Sequence, residues 1–371
     1  MTPIEFRRHL HSAPELSFKE FRTAEFIEQA LREEGIECRR IANTGVLATI
    51  AGRGDVSRAV VLRADIDALP IVEATDLPYA SQVEGVMHAC GHDMHAAVLF
   101  GVLQRLSRAR NFEGTVLGLF QPGEECNPGG ASCVLSEEPF AGYNVVAVIG
   151  EHVDSGLEVG EFGFCEGAFM ASSDELRLTV KGRGGHAAMR DKIVDPVVAA
   201  AHLVARFNAL NEPSSVVSIG RFIAEGATNV IPDEVKLEGT MRTFSEQWRE
   251  SAHKTMAAHV AEVDAQWGTT TTLDISRGYP SVNNDSALTQ LAVALANEHF
   301  KAQSLPRRTT AEDFGFYTQR YPSLFYRLGV GAAAGRSHSS TFSPDEAAIE
   351  VGVDFMYRLT HKVIEYGQEK G

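Results

Sequence analysis

The stretch His88-Ala89-Cys90-Gly91-His92-Asp93-Met94-His95 sets a thiol two residues from an imidazole, with a glycine that lets the backbone pass between them. In an extended loop, residues i and i+2 point the same way, so Cys90 and His92 are placed to face one ion. The plainer alternative is a buried structural cysteine beside helix-capping histidines, since a free Cys usually behaves as a small buried hydrophobe. Chemistry is favoured by what lies at the ends of the other apolar segments.

Those segments must position the donors. Ala59-Val60-Val61-Leu62 reads as a buried strand ending in Arg63-Ala64-Asp65-Ile66-Asp67-Ala68-Leu69-Pro70. Val116-Leu117-Gly118-Leu119-Phe120 ends in Gln121-Pro122-Gly123-Glu124-Glu125, and Val145–Ile149 ends in Gly150-Glu151-His152. Three continuous apolar runs, each delivering acids or a histidine past its end, match the place where open α/β sheets carry their sites. His338 lies in a Gly/Ala-rich loop near the C-terminus.

Around these runs, Thr2-Pro3-Ile4-Glu5 predicts a capping box opening a first helix, and Ser17-Phe18-Lys19-Glu20 predicts a second one. His9 and His11 have no carboxylate close in sequence and are taken as structural. A strand is expected at 46–50, and helices at about 93–107 and 286–300. The texture changes near Phe169. Asp174–Val180, Ser215–Ile223, Asp233–Phe244 and Thr270–Arg277 alternate polar and apolar residues, as half-exposed antiparallel strands do, with helices expected near 195–210 and 245–267. The resulting β-α-β-β-α-β order predicts a ferredoxin-like unit. The expected organisation is therefore an α/β domain at 1–170 and 281–371, with an inserted α+β domain at 171–280.

The chain has 371 residues, 44% hydrophobic and 22% charged, enough for roughly two domains. A formal net charge of -15 argues against nucleic acid or anionic lipid as a partner. No apolar run approaches the roughly 20 residues of a membrane span, and the N-terminus carries no secretory pattern. Five cysteines without framework spacing are consistent with a reducing cytoplasm.

Cys90, His92, Glu125, His152 and His338 make five donors, which suits two divalent ions sharing one bridging ligand. One thiolate and one carboxylate leave two such ions undercompensated by about two charges, so a water between them would ionise readily. Glu124 is then left over. A carboxylate beside a metal ligand can move a proton from water to a leaving group, and a closed structural zinc site would not need it.

The chain resembles the amidohydrolase branch of the M20 metallopeptidases, which includes hippurate hydrolases, N-acyl-amino-acid deacylases and auxin-conjugate hydrolases. The resemblance is carried nearly end to end by Arg8–His11 with Pro14-Glu15, Arg63–Pro70, Met87–Asp93, Gln121–Glu125, Lys181–Ala188, Thr228–Asp233 and Ala311–Phe314. It implies a dimetal hydrolase domain with a mixed central sheet flanked by helices, and a lid through which homodimers form. It further implies two ions, zinc or manganese, bridged by Cys90, with His92 and His152 completing one site and Glu125 and His338 the other. Glu124 matches the general acid/base, and Asp67 the acid that orients the metal site. His186 matches a lid histidine that stabilises the oxyanion, in cis or across the dimer, and Asn229 a substrate-binding position. Arg242 is a further candidate for a substrate carboxylate. Two stretches depart from the family: Ser-His-Ser-Ser at 337–340, where His-Ser-Pro is common, and the charged Met189-Arg190-Asp191-Lys192. The implied reaction is hydrolysis of an N-acyl amino acid to a carboxylic acid and an amino acid. A dipeptidase of the same fold would share every ligand, whereas a silent metal-binding protein would have no use for Glu124. A thiol-redox role for Cys90 lacks a resolving cysteine nearby.

Overall fold

The computed structural model describes residues 1–370 and divides into two compact units. The first comprises Met1–Phe169, Asn283–Arg307 and Asp313–Gly371, and the second Met170–Val282 with Arg308–Glu312.

The first unit is built on an eight-stranded mixed sheet. Its strands run in the order Glu37–Ile41, Gly45–Ala51, Thr115–Gln121, Arg58–Asp65, Asn144–Asp154, Ser323–Gly329, Glu161–Phe164, Lys301–Ser304. The four central ones, from Thr115–Gln121 to Ser323–Gly329, are mutually parallel. Thr115–Gln121 is buried along its whole length and Arg58–Asp65 along nearly all of it, which explains why they read as unbroken apolar runs. Helices His92–Ala109 and Ala347–Lys370 pack against the sheet, and their apolar faces share one core with Phe6, Phe100, Phe120 and Phe162.

Local signals at the first helix act as expected. Thr2 accepts from Glu5 N while Glu5 accepts from Thr2 N, and Pro3 opens helix Pro3–Ser12. The second expected box does not form. Helix Phe21–Glu33 has no side-chain cap, because the Ser17 hydroxyl donates to Asp67 Oδ2 (2.7 Å) and Phe18 takes a left-handed turn (φ 62°). A distant carboxylate, rather than a local backbone N–H, has taken the Ser17 hydroxyl. The short edge strand Glu37–Ile41, of sequence Glu-Cys-Arg-Arg-Ile, carries no apolar alternation from which it could be read.

The second unit has the ferredoxin-like order expected. Its four antiparallel strands run Ser215–Ile223, Glu234–Thr243, Asp174–Lys181, Thr270–Arg277 across the sheet. Helices Pro196–Asn208 and Glu246–Trp267 cover one face, burying Leu176, Leu178, Val235, Leu237 and Met241 against Leu203, Phe207, Met256 and Val260. Arg308 joins this unit by a bridge to Met170. No helix among the described residues is long and apolar enough to cross a membrane.

Candidate metal centre

The first-unit donors arrive from separate elements at the carboxyl ends of the parallel strands. Cys90 and His92 do not lie in one extended segment. Gly91 is left-handed (φ 92°) and His92 is already the first residue of helix His92–Ala109, so a tight turn rather than strand alternation brings the two side chains together. A Cβ at Gly91 would meet Val153 Cγ2 at 2.6 Å, which makes glycine the only residue that fits without displacement. His152 lies within strand Asn144–Asp154 rather than beyond it. His338 sits in its loop with φ 64°, tied by donation from its N–H to Ala89 O (2.8 Å).

Two triplets of donor atoms result, and both contain Cys90. Cys90, His92 and His152 form one; Cys90, Glu125 and His338 form the other; within each triplet the atoms lie within 4.8 Å of one another. Cys90 Sγ is 3.3 Å from His152 Nε2 and 3.3 Å from His338 Nε2, and His338 Nε2 is 3.2 Å from Glu125 Oε1. Glu124 is buried, and its carboxylate joins His92 and Glu125 in a third such group.

The tautomers suit cation binding. His92 Nδ1 donates to the Asp67 carbonyl (2.9 Å), with Asp67 Oδ1 at 3.2 Å, and His152 Nδ1 donates to Val153 O (2.7 Å). Each ring therefore turns Nε2 inward, the arrangement by which second-shell acceptors fix metal-ligating histidines. His92 Nε2 has no hydrogen-bond partner, and the carboxylates of Asp65 and Glu125 stand 3.7 and 3.9 Å from it. Burial alone would discharge His92, but Asp65 and Cys90 hold its imidazole well above the usual range. Burial likewise pushes the Cys90 thiol up to about 12, against the pull of His92. A buried thiol, an unpartnered imidazole nitrogen and converging carboxylates together call for a divalent cation, which would keep Cys90 as thiolate.

Asp67 does more than face His92. Its Oδ2 accepts from Glu125 N (3.0 Å) as well as from Ser17, so one carboxylate orients donors of both triplets. Around it lies a buried network that sequence reading does not assign. Arg63 donates to Gln121 Oε1 (2.9 Å), Asp65 Oδ2 (2.7 Å) and Asp313 Oδ1 (2.7 Å), and Asp65 Oδ1 is 2.6 Å from His95 Nδ1. Although burial opposes it, His92 and Arg63 hold Asp65 well below the ordinary carboxylate range. His11 pairs with Asp93 (2.8 Å) and Glu73 (3.2 Å), carboxylates 82 and 62 positions away that no local spacing could reveal. The one available signal was helical: His95 lies one turn after His92.

In the second unit, His186 and Asn229 lie side by side. Gly185–His186 pairs with Val230–Ile231, and Ala187 N donates to Asn229 O (2.9 Å). Arg242 lies elsewhere in that unit, its guanidinium donating to Thr240 Oγ1 (2.7 Å) and Met241 O (3.1 Å) on its own strand.

A mixed α/β sheet whose strand ends converge thiolate, imidazole and carboxylate donors defines a metallohydrolase-type protein. Residues 61–362 match the peptidase family M20/M25/M40, and the chain belongs to that family. It is 37% identical to N-acetylcysteine deacetylase of Bacillus subtilis over 98% of this chain and 97% of that protein. It is 34% identical to N-acetyldiaminopimelate deacetylase of Bacillus cytotoxicus, over 95% and 96% of the two chains. The crystal structure of the Bacillus subtilis YXEP protein, described as a dinuclear metal binding peptidase from the M20 family, superposes with a TM-score of 0.86 at 36% identity and 98% coverage of each chain.

Proposed function

We infer that the protein is a divalent-metal-dependent amidohydrolase that cleaves N-acyl amino acids to a carboxylic acid and a free amino acid. The observation that carries this reading is the pair of donor triplets sharing Cys90, with the carboxylate of Glu124 beside them and outside both. Relatives named as deacetylases of N-acetylated amino acids support the substrate class.

Cys90, His92 and His152 would hold one ion and Cys90, Glu125 and His338 the other, zinc or manganese by donor type. When bound, the ions supply Lewis-acid polarisation of the acyl carbonyl and lower the pKa of water. Asp67 keeps His92 turned inward. Glu124 takes a proton from the attacking water as the C–O bond forms, then delivers it to the leaving nitrogen as the C–N bond breaks. His186 on the second unit donates to the oxyanion, and Asn229 and Arg242 are the positions assigned to substrate binding. Pairing of second-unit edge strands would give a homodimer.

The test is metal analysis together with a screen of N-acyl amino acids against dipeptides. Two ions per chain and turnover of the N-acyl series are expected. A protein that binds one ion, or that cleaves only dipeptides, would overturn the reading.

A further inference from the structure

Glu20 is fully buried on the connection between the first two helices, outside the metal-ligand set and without the capping box expected of it there. Its Oε1 accepts from Gly123 N (2.9 Å) and Phe18 N (2.9 Å), and its Oε2 accepts from Thr44 Oγ1 (2.6 Å). Gly123 immediately precedes Glu124 and Glu125. It is left-handed (φ 62°), and a Cβ there would meet the Phe18 ring at 2.4 Å. Phe18 is itself left-handed, with φ 62°. A β-carbon costs energy in that region, so a tertiary contact must hold the residue there. Immediately before Phe18, Ser17 donates to Asp67 Oδ2, and Ala68 N donates to Glu15 O (2.9 Å). One short connection therefore grips both strand-end loops: that of Asp67 through Ser17 and Glu15, and that of Glu124 and Glu125 through Glu20 and the Phe18 ring. On the far side, the turn that carries Thr44 leads into Gly45, where a Cβ would meet Pro122 Cδ at 2.8 Å. The Pro122-Gly123 turn is thus enclosed by close contacts, and the Glu20 carboxylate satisfies its amide.

We propose that Glu20 is a positioning residue for the reaction: by accepting from the Gly123 amide, it sets where Glu124 and Glu125 stand relative to Asp67 and the other donors. The effect comes from geometry, not from charge reaching the site. Burial pushes the Glu20 carboxyl up to about 7, opposed by the Thr44 hydrogen bond and assisted by Asp67, so an uncharged acceptor of the same shape is a fair substitute. In Glu20→Gln, the amide oxygen can keep Gly123 N and Phe18 N while the NH₂ turns to Thr44 Oγ1, a hydroxyl that can also accept. Glu20→Ala removes every one of these contacts.

The inference rests on the hydrolase reading, and its test has two arms that separate the two. In the first, hydrogen–deuterium exchange is followed on the peptide containing Gly123, with and without added zinc. Exchange is expected to be at least about tenfold faster in Glu20→Ala and close to wild type in Glu20→Gln. In the second, Glu20→Ala should lose kcat by about 10- to 100-fold with KM nearly unchanged, the scale of a displacement of about 1 Å in a catalytic group. Glu20→Gln should stay within about threefold of wild type. Glu20→Asp, which withdraws the acceptor by one methylene, should behave as Glu20→Ala and serves if the alanine variant does not fold. Unchanged exchange at Gly123 in both Glu20→Ala and Glu20→Asp would overturn the proposal, as would a glutamine variant as impaired as alanine. Absence of N-acyl amino acid turnover by the wild type would defeat the hydrolase reading while leaving the exchange result to decide the role of Glu20.

Discussion

Both units bury charge, but they spend it differently. In the second, Asp174 accepts from Arg249 Nε (3.0 Å) and Nη2, from His253 Nε2 (2.7 Å) and from Gly278 N (3.1 Å), while Glu246 accepts from Arg249 Nη1 (3.0 Å) and Ser281 N (2.8 Å). The cluster closes on itself and ties the start of the unit to its end. In the first unit, the networks of Arg63 and Asp67 are satisfied in the same way, yet they surround an atom that is not: His92 Nε2 has no partner, and beside it a single thiol, Cys90, is shared by two imidazoles at 3.3 Å. A buried polar group left unpaired is costly, so convergent unpaired donors held by satisfied neighbours mark a place where a ligand is meant to enter. Satisfied clusters serve the fold, and the open one serves chemistry.

The largest effect expected is at the open cluster. Glu124→Gln should lower turnover by a factor on the order of 10²–10⁴ with metal content unchanged, whereas Glu125→Gln should lose occupancy at one of the two metal positions. Steady-state rates and metal stoichiometry on the same preparations decide it; equal metal loss in both variants would erase the division of labour.

The closed cluster should fail in stability instead. Asp174→Ala leaves the guanidinium of Arg249 buried without its main acceptor, which costs about 3–5 kcal/mol, measured by urea unfolding. Metal stoichiometry in the folded protein should not change. If metal is lost along with stability, the two clusters are not independent and the contrast drawn between them fails.

His186→Ala carries the next effect, a loss of about 10²–10³ in kcat with both ions retained, as for removal of one oxyanion donor. Mixing this variant with Glu124→Gln under subunit exchange tests whether the histidine serves a partner's site. Recovered activity in verified heterodimers supports the shared arrangement, and continued inactivity restricts His186 to its own chain.

The smallest effect is local. Thr2→Ala removes the capping box of the first helix and should cost about 1 kcal/mol of stability while leaving turnover and metal content as in wild type. A change in kcat would mean that helix end is coupled to the site more strongly than its exposed hydrogen bonds suggest.

Patterns with a short period were legible in the chain alone. Apolar runs of four or five residues announced the buried central strands, alternation announced the second unit's sheet, and the element order led to its ferredoxin-like topology, because side-chain period and connection length constrain these features locally. Glu124 and Glu125 were legible for a related reason: they follow closely on strand Thr115–Gln121, whose end must lie at one edge of a parallel sheet, whereas His152 lies inside its strand and Cys90 and His92 flank the start of a helix. What only the tertiary structure decided were choices between competing partners. Ser17 could cap a helix or bind Asp67, and the distant carboxylate won. Cys90 and His92 were expected to share a face through an extended segment, but a left-handed Gly91 and a helix start bring them together instead. His11 looked isolated until folding set Asp93 and Glu73 against its two nitrogens. For Ser17 and His11 the deciding contact spans tens of residues, and its strength comes from burial, which no local spacing encodes.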